Sequence, residues 1–305
     1  MVLGEWVEMI LARNIRHPGV EDRIRSFCLQ AIEREAPLRE RHALGLTLGW
    51  VGDPRIVVDL RDRSAYVEIP HGEYILGEDS DSRPESGSRR RPSGRRFTLD
   101  QSFRIARYPM TNSQYALFVK EGGYEQARWW SEGGRRWLAE SGERQPSFWR
   151  RGKWNNPSQP VVGVSFWEAE AFCSWAGGRL PSADESECAA RGPEGLEYPW
   201  GDDWEDAICN TVEARLGMTS AVGLFARARS KAFGLHDMAG NVLEWCRNIA
   251  ADTTRDGGLR AVVRGGSWYD YAGDAWCAYR FVIPPIVRGG NLGFRMVDGG
   301  GARIS

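Results

Sequence analysis

Residues 264–295 read RGGSWYDYAGDAWCAYRFVIPPIVRGGNLGFR, and this stretch decides the fold. Two blocks bracket it: Arg264-Gly265-Gly266-Ser267-Trp268 at the start and Leu292-Gly293-Phe294-Arg295 at the end. The interior has a different texture. From Tyr269 to Asn291 there is no Lys, Glu, Gln or Met, while Tyr, Asp, Gly, Phe, Val and Ile recur. Tyr and Phe carry large contact area on few rotatable bonds, and Gly and Asp add adaptable polar contacts, as in binding loops. Phe281-Val282-Ile283, ahead of Pro284-Pro285, is an apolar run in a segment otherwise rich in turn residues. It reads equally well as buried strand and as exposed contact patch.

Further blocks lie upstream. Val67-Glu68-Ile69-Pro70, then Gly72, Tyr74 and Leu76-Gly77, reads as strand, turn and strand, and Phe97–Tyr108 alternates as a strand. Thr111 caps a helix that begins at Asn112. Residues 122–158 hold Trp129, Trp130, Trp137, Trp149 and Trp154 among Gly and Arg, an aromatic-pinned excursion. Phe166 leads into a helix over Trp167–Ala176, and Ser182-x-x-Glu185 is a capping box that starts another. Tyr198-Pro199-Trp200-Gly201 follows, then Phe233-Gly234-Leu235-His236-Asp237-Met238-Ala239 and Gly240-Asn241-Val242-Leu243-Glu244-Trp245. In this order and spacing the blocks from about 66 to 298 resemble the formylglycine-generating-enzyme (sulfatase-modifying factor) family. The resemblance implies an α+β chain with a C-type lectin fold of the formylglycine-generating-enzyme type, irregular and loop-rich.

The interior of 264–295 resembles instead the variable region of a protein diversified by a diversity-generating retroelement. That resemblance implies replacement of template adenines, mostly in Asn codons, which become Tyr, Asp, Gly, Phe, Val, Ile or Asn but never Lys, Glu, Gln, Met or Trp. Tyr269, Asp270, Tyr271, Gly273, Asp274, Tyr279, Phe281, Val282, Ile283, Ile286, Val287, Gly289, Gly290 and Asn291 lie in the reachable set and are the expected ligand-binding residues. Trp276, inside Ala275-Trp276-Cys277-Ala278, is assigned to the frame together with Arg280, Phe294 and Arg295.

The family's oxidase is implied to hold copper on two cysteines five residues apart. Cys277 falls near the second position, and five residues earlier stands Ala272. Copper(I) needs at least two such soft ligands. The expectation is therefore a chain that is not an enzyme and requires no cofactor, with no catalytic residue. A related branch is implied to use three histidines, but His17, His42, His71 and His236 never cluster at ligand spacing. Asp184, Glu185 and Glu187 sit at a helix start, where the dipole favours carboxylates. The resemblance also implies structural calcium. Asn241 and Glu244 match one ligand loop, and Asn210 matches the first position of another, whose later Asp is here Gly223. Hard oxygens suit calcium, and capping of a turn by Asn241 is an equal explanation.

The chain has 305 residues, 14 Trp and 36 Gly, favouring a loop-rich fold held by aromatic packing. Residues 1–62 read as a helical N-terminal segment and 63–305 as the lectin-type domain, with the variable region at about 264–295. Ile24, Phe27, Cys28, Ala31 and Ile32 follow the helical period, and a second helix covers about Leu38–Leu48 and stops at Gly49-Trp50-Val51-Gly52-Asp53-Pro54. The string Arg39, Ala43-Leu44, Leu46, Leu48-Gly49, Gly52-Asp53-Pro54-Arg55 resembles the end of a HEAT-like repeat. A lone repeat cannot bury its own face and must pack on the following domain or belong to a longer array. Residues 78–96 read as a solvated loop, its Arg89–Arg91 and Arg95–Arg96 cluster included.

A net charge of −1 gives no field for nucleic acid, and no apolar run spans a bilayer. Glu5 and Glu8 and the lack of a basic start argue against a secretory signal. Six scattered cysteines without CxxC spacing read as reduced thiols of a cytoplasmic chain. The reading is a display protein that binds a protein ligand through its variable region, with the helical segment as a second docking piece. Alternatives are an atypical or degenerate cysteine-modifying oxidase, and a scaffold or sensor of a bacterial defence or signalling assembly.

Overall fold

Helix α1 (Pro18–Glu33) and helix α2 (Leu38–Val51) open the computed structural model, which describes residues 18–77, 94–252 and 257–300. The readings of residues 1–17 and of 78–93, most of the loop expected over 78–96, lie outside these, while Arg95 and Arg96, expected in that loop, instead begin a strand over Arg95–Leu99. The helical pair does not stand alone. Cys28, Ile32, Leu44, Leu48 and Val51 share one apolar cluster with Cys209, Leu224 and Phe225 of the following domain. Polar contacts fix the seam: Asn156 Nδ2 donates to the Leu46 carbonyl at 2.8 Å, and Arg55 Nη1 donates to the Gly223 carbonyl at 3.2 Å.

Helix α2 runs past the expected stop at Leu48. Gly49 and Trp50 remain helical to Val51, and Gly52, at φ +90°, ends the helix. Gly49 is there for close approach rather than as a stop, because a Cβ on it would lie 2.2 Å from Asn156 Oδ1.

The first sheet has strand order β1-β4-β10-β5, built from β1 (Tyr66–Ile69), β4 (Phe103–Ala106), β10 (Val297–Asp298) and β5 (Gly178–Arg179). A hairpin pairs β2 (Gly72–Leu76) with β3 (Arg95–Leu99). The second sheet has order β8-β7-β6-β9, with β6 (Leu243–Ala251), β7 (Leu259–Arg264), β8 (Arg280–Ile283) and β9 (Leu292–Phe294). Strand β9 lies parallel to β6, in register Leu243↔Leu292.

Three helices start on the capping chemistry their sequences carry. Helices α3 (Asn112–Lys120), α5 (Phe166–Ala176) and α6 (Ala183–Arg191) have reciprocal boxes, Thr111 with Gln114, Ser165 with Glu168 and Ser182 with Glu185. Between Tyr115 of α3, Phe172 of α5 and Phe294 of β9 lies the aromatic core. Tyr115 stacks on Phe172 with centroids 5.1 Å apart, and Phe172 meets Phe294 edge-on at 5.3 Å. The excursion over 122–158 is less irregular than its composition implied. It holds helix α4 (Glu132–Ser141), capped by Ser131 and closed by Gly142 in the left-handed region.

Gly49→Ala should lower stability by about 1–3 kcal/mol through overpacking against Asn156, whereas Gly152→Ala, with no atom near its Cβ position, should not. Urea unfolding of the two variants checks this, and equal midpoints would show that the seam yields freely.

Candidate functional site

The 264–295 stretch leaves the second sheet at the end of β7, rejoins it at the edge strand β8 and again at β9, and its ends are fixed by buried polar contacts. Arg264 donates through Nη2 to Glu187 at 2.7 Å and through Nη1 to the carbonyls of Cys277 at 2.9 Å and Tyr279 at 3.3 Å. Gly265 and Gly266 take φ +91° and +65°, and a Cβ on Gly266 would lie 2.7 Å from the Asp274 carbonyl. Ser267 is fully buried. Its hydroxyl bonds the Asp270 carboxylate and accepts from Asn291 Nδ2 at 3.2 Å. Burial pushes the Asp270 carboxyl up, opposed by the Ser267 hydrogen bond. Trp268 Nε1 donates to the Gly290 carbonyl at 3.1 Å.

A second clamp holds the returning limb. Arg288 pairs with the fully buried Glu168 at 2.9 Å and with Glu143, and donates to the carbonyls of Gly163 and Gln145. Burial raises the Glu168 carboxyl, and the Arg288 guanidinium pulls it back. Backbone links complete the anchoring: Phe166 N–H donates to the Pro285 carbonyl, and Gly163 N–H to the Gly289 carbonyl.

Between these anchors the loop presents apolar surface. Tyr269 is 67% exposed, Tyr271 64%, Ile286 59% and Phe281 50%, and Val282 and Val287 are exposed too. Gly273 is exposed, and Asp274 and Tyr279 are half-buried. Four of the expected surface residues serve the frame instead. Asp270 and Asn291 are bound to Ser267, and Gly289 and Gly290 give their carbonyls to Gly163 and Trp268. Ile283 also turns inward: paired with Ala261, it packs on the main core. Its neighbour Phe281, opposite buried Val263 on the edge strand β8, keeps half its surface in solvent. Of the frame residues expected, Cys277, Phe294 and Arg295 are buried and Trp276 is half-buried, but Arg280 is exposed.

Sequence reasoning missed two contributors. Arg288 carries no local signal of its distant partners. Trp154 and Phe148, from the tryptophan-rich excursion, form a wall beside the loop: Trp154 meets Trp268 at 5.4 Å and Phe148 at 5.9 Å, and Lys153 Nζ lies 4.8 Å over the Trp154 ring. The clustering of tryptophans was the available signal.

The implied metal sets fit poorly. Both Glu244 oxygens accept from Arg295, at 2.9 and 3.1 Å. Asn241, with φ +68°, uses its amide to bind Asn210 Nδ2 and the Ser220 N–H, so it organises a turn. Asn210 Oδ1 alone is left without a donor. The calcium set Asn210, Asn241 and Glu244 is thus largely committed to internal bonds. A copper pair does not fit either: Cys277 is buried, its thiol pushed far up by burial, and Ala272 offers no thiolate. Among the described residues no three His, Cys, Asp or Glu side chains group to hold a metal. All six cysteines are buried and unpaired. Among the described residues no helix is long and apolar enough to cross a membrane.

Comparison with known proteins places the chain. The model of the sulfatase-modifying factor enzyme 1-like domain matches residues 58–299. The hercynine oxygenase of Mycolicibacterium smegmatis is 33% identical over 234 residues, covering 66% of this chain and 54% of that protein. This chain therefore spans about half the length of that relative. The inactive C-alpha-formylglycine-generating enzyme 2 of Mus musculus is 29% identical over 294 residues, covering 84% of this chain and 92% of that protein. Among solved structures, Treponema denticola variable protein 1 shares the fold, with a TM-score of 0.54 at 21% identity over 76% of this chain and 94% of that one. The expectation of a chain without enzymatic activity does not stand: a relative one third identical carries the name of an oxygenase. Its loss of a copper cysteine spoke only to one cofactor, not to catalysis on this scaffold. The buried aromatic core, the Arg295–Glu244 pair and the match over residues 58–299 agree, and the chain belongs to the sulfatase-modifying factor enzyme 1-like (formylglycine-generating enzyme) family.

Proposed function

We propose that residues 269–287 form the ligand-binding surface of a display protein, diversified by a retroelement and directed at a protein partner. The observation that carries this reading is the concentration of exposed apolar side chains. Tyr269, Tyr271, Phe281, Val282, Ile286 and Val287 all stand exposed within one short stretch whose two ends are buried. Singly scattered exposed hydrophobics are ordinary, whereas six along so short a stretch of chain favour a contact site. Tyr and Phe are also the side chains that supply most energy at protein interfaces for least lost freedom. Each of the six belongs to the set that adenine replacement can reach. The fixed wall of Phe148 and Trp154 stands beside this surface and would be common to all its variants.

A second reading, an atypical oxidase on the same scaffold, is favoured by the identity with the hercynine oxygenase. It is tested by oxygen uptake with hercynine or with a cysteinyl peptide, followed by mass spectrometry of the products; uptake without an oxidised product would set it aside.

Two measurements test the display reading. In the genome, a second copy of the segment around Arg264–Arg295, with Asn codons at the variable positions and a neighbouring reverse-transcriptase gene, is expected; its absence would leave a binding surface without diversification. In the protein, Tyr269→Ser, Tyr271→Ser and Phe281→Ser combined should change stability by no more than about 0.5 kcal/mol per site. The same triple variant should lose binding to a peptide selected on the parent chain. Phe294→Ala should cost roughly 3–5 kcal/mol, and Arg288→Leu, which strands the buried Glu168 carboxylate, a similar amount. Were the triple variant to unfold while Phe294→Ala and Arg288→Leu were harmless, loop and frame would be assigned the wrong way round.

A further inference from the structure

A cavity of about 570 Å³ opens between the β2–β3 hairpin, the first turns of α6 and the segment leading into β8. That volume is in the range of small-ligand sites. Its wall includes Arg95, Asp184, Glu187, Arg264, Trp276 and Arg280. Among the described residues of this wall, positive charge outweighs negative. Arg264 and Arg191, with side chains 4% and 3% exposed, both bind the single buried carboxylate of Glu187, at 2.7 and 3.0 Å. The Gly77 N–H donates to the same carboxylate. Arg95 is matched by Asp184 at 2.9 Å. Arg280, exposed at the rim, has no ion pair among the described residues. Two buried guanidiniums sharing one carboxylate, with a third that has no ion pair among the described residues at the mouth, form a field that draws an anion. The wall also keeps a donor unspent: the Trp276 indole N–H is buried with no acceptor among the described residues, a state that is costly to maintain.

We propose that this cavity is a carboxylate-binding site. The Arg280 guanidinium takes the two coplanar oxygens in its fork, Arg95 closes the rim, and the Arg264–Glu187–Arg191 cluster supplies the positive wall behind them. The carboxylate belongs either to a free small acid or to an acidic side chain of a bound peptide. The inference does not rest on the display reading, because none of Arg95, Arg264 and Arg280 is in the variable set. Nor does it involve Ser267, Cys277 or the metal sets described above.

The test uses the full chain with ¹⁵N-labelled tryptophan, the Trp276 indole resonance being assigned by its loss in Trp276→Phe. Glutarate and the peptide acetyl-Gly-Glu-Glu-Gly-amide are titrated separately, with sodium chloride at matched ionic strength as the control. A saturable shift of the Trp276 resonance is expected, weakened at least about tenfold by Arg280→Glu, the loss a charge-assisted bond predicts. Saturation by glutarate assigns the site to free acids, and saturation by the peptide alone assigns it to a partner's side chain. Arg280→Gln, which removes the charge and the fork without reversing the field, should weaken binding less than Arg280→Glu and keeps the test intact if the reversed charge disturbs the edge strand. The proposal is overturned if neither probe moves the resonance, if chloride moves it equally, or if both Arg280 variants bind as the parent does.

Discussion

One buried ion pair ties the two sheets together. Arg295 is wholly inaccessible, and its guanidinium donates to both oxygens of Glu244, to the Ala106 carbonyl at 2.8 Å and to the His236 carbonyl at 2.7 Å. It thus joins the chain after β9 to strand β6, to the end of β4 and to the loop before the Gly240-Asn241 turn. A buried pair is tolerated only when its geometry and remaining hydrogen bonds are nearly complete, and losing one partner strands a charge. The pair is therefore less a source of net stability than a fixed point. With Arg295 seated against Glu244, strand β9 meets β6 in the Leu243↔Leu292 register.

That fixed point governs how residues 264–295 are presented. Because β8 pairs with β7 at one edge of the sheet while β9 pairs parallel to β6 at the other, the chain after Ile283 must leave the sheet and cross over. The return is not left to the loop's own packing. Ser267 bound to Asn291 and Trp268 to Gly290 cross-brace the two limbs near their bases, and Arg288 pins the returning limb to Glu168 of helix α5. Closing a loop costs entropy that rises only slowly with its length, so braces at the base can carry an interior of almost any composition. The exposed Tyr269, Tyr271 and Phe281 contribute little to that frame, which is what freedom to vary requires.

Signals confined to a few residues were legible in the sequence. The Thr111 cap and the Ser182–Glu185 box sit where their local chemistry put them. Glycines misled, because the same residue ends helices and permits close packing. Gly49 looked like a stop and is instead a contact with Asn156. Gly133 and Gly134 hid helix α4, although a Cβ on Gly133 would meet the Trp167 ring at 2.6 Å and so explains the choice. Long-range pairs were illegible for a different reason. Glu244 fitted a calcium loop by its neighbours, but its true partner Arg295 is 51 residues away. Arg288 finds Glu168 across 120 residues, and no local pattern announces either bond.

The same division explains why similarity and function separate in this chain. What matches over residues 58–299 includes the core aromatics, the capped helices and the Glu244–Arg295 tie, all of which make the scaffold. A scaffold of this kind is shared by a protein named as an oxygenase, one named as an inactive enzyme and one named as a variable protein. Fold alone cannot choose among such uses. The choice rests on side chains the frame does not need. Here those are the exposed aromatics and aliphatics between Ser267 and Arg288, whose desolvation by a partner would be favourable at roughly 25 cal/mol per Å² of apolar surface covered. Exposed apolar side chains on a braced base lose little freedom when they are covered, and that asymmetry, more than any single residue, is what supports the proposed reading of this end of the molecule as a recognition surface.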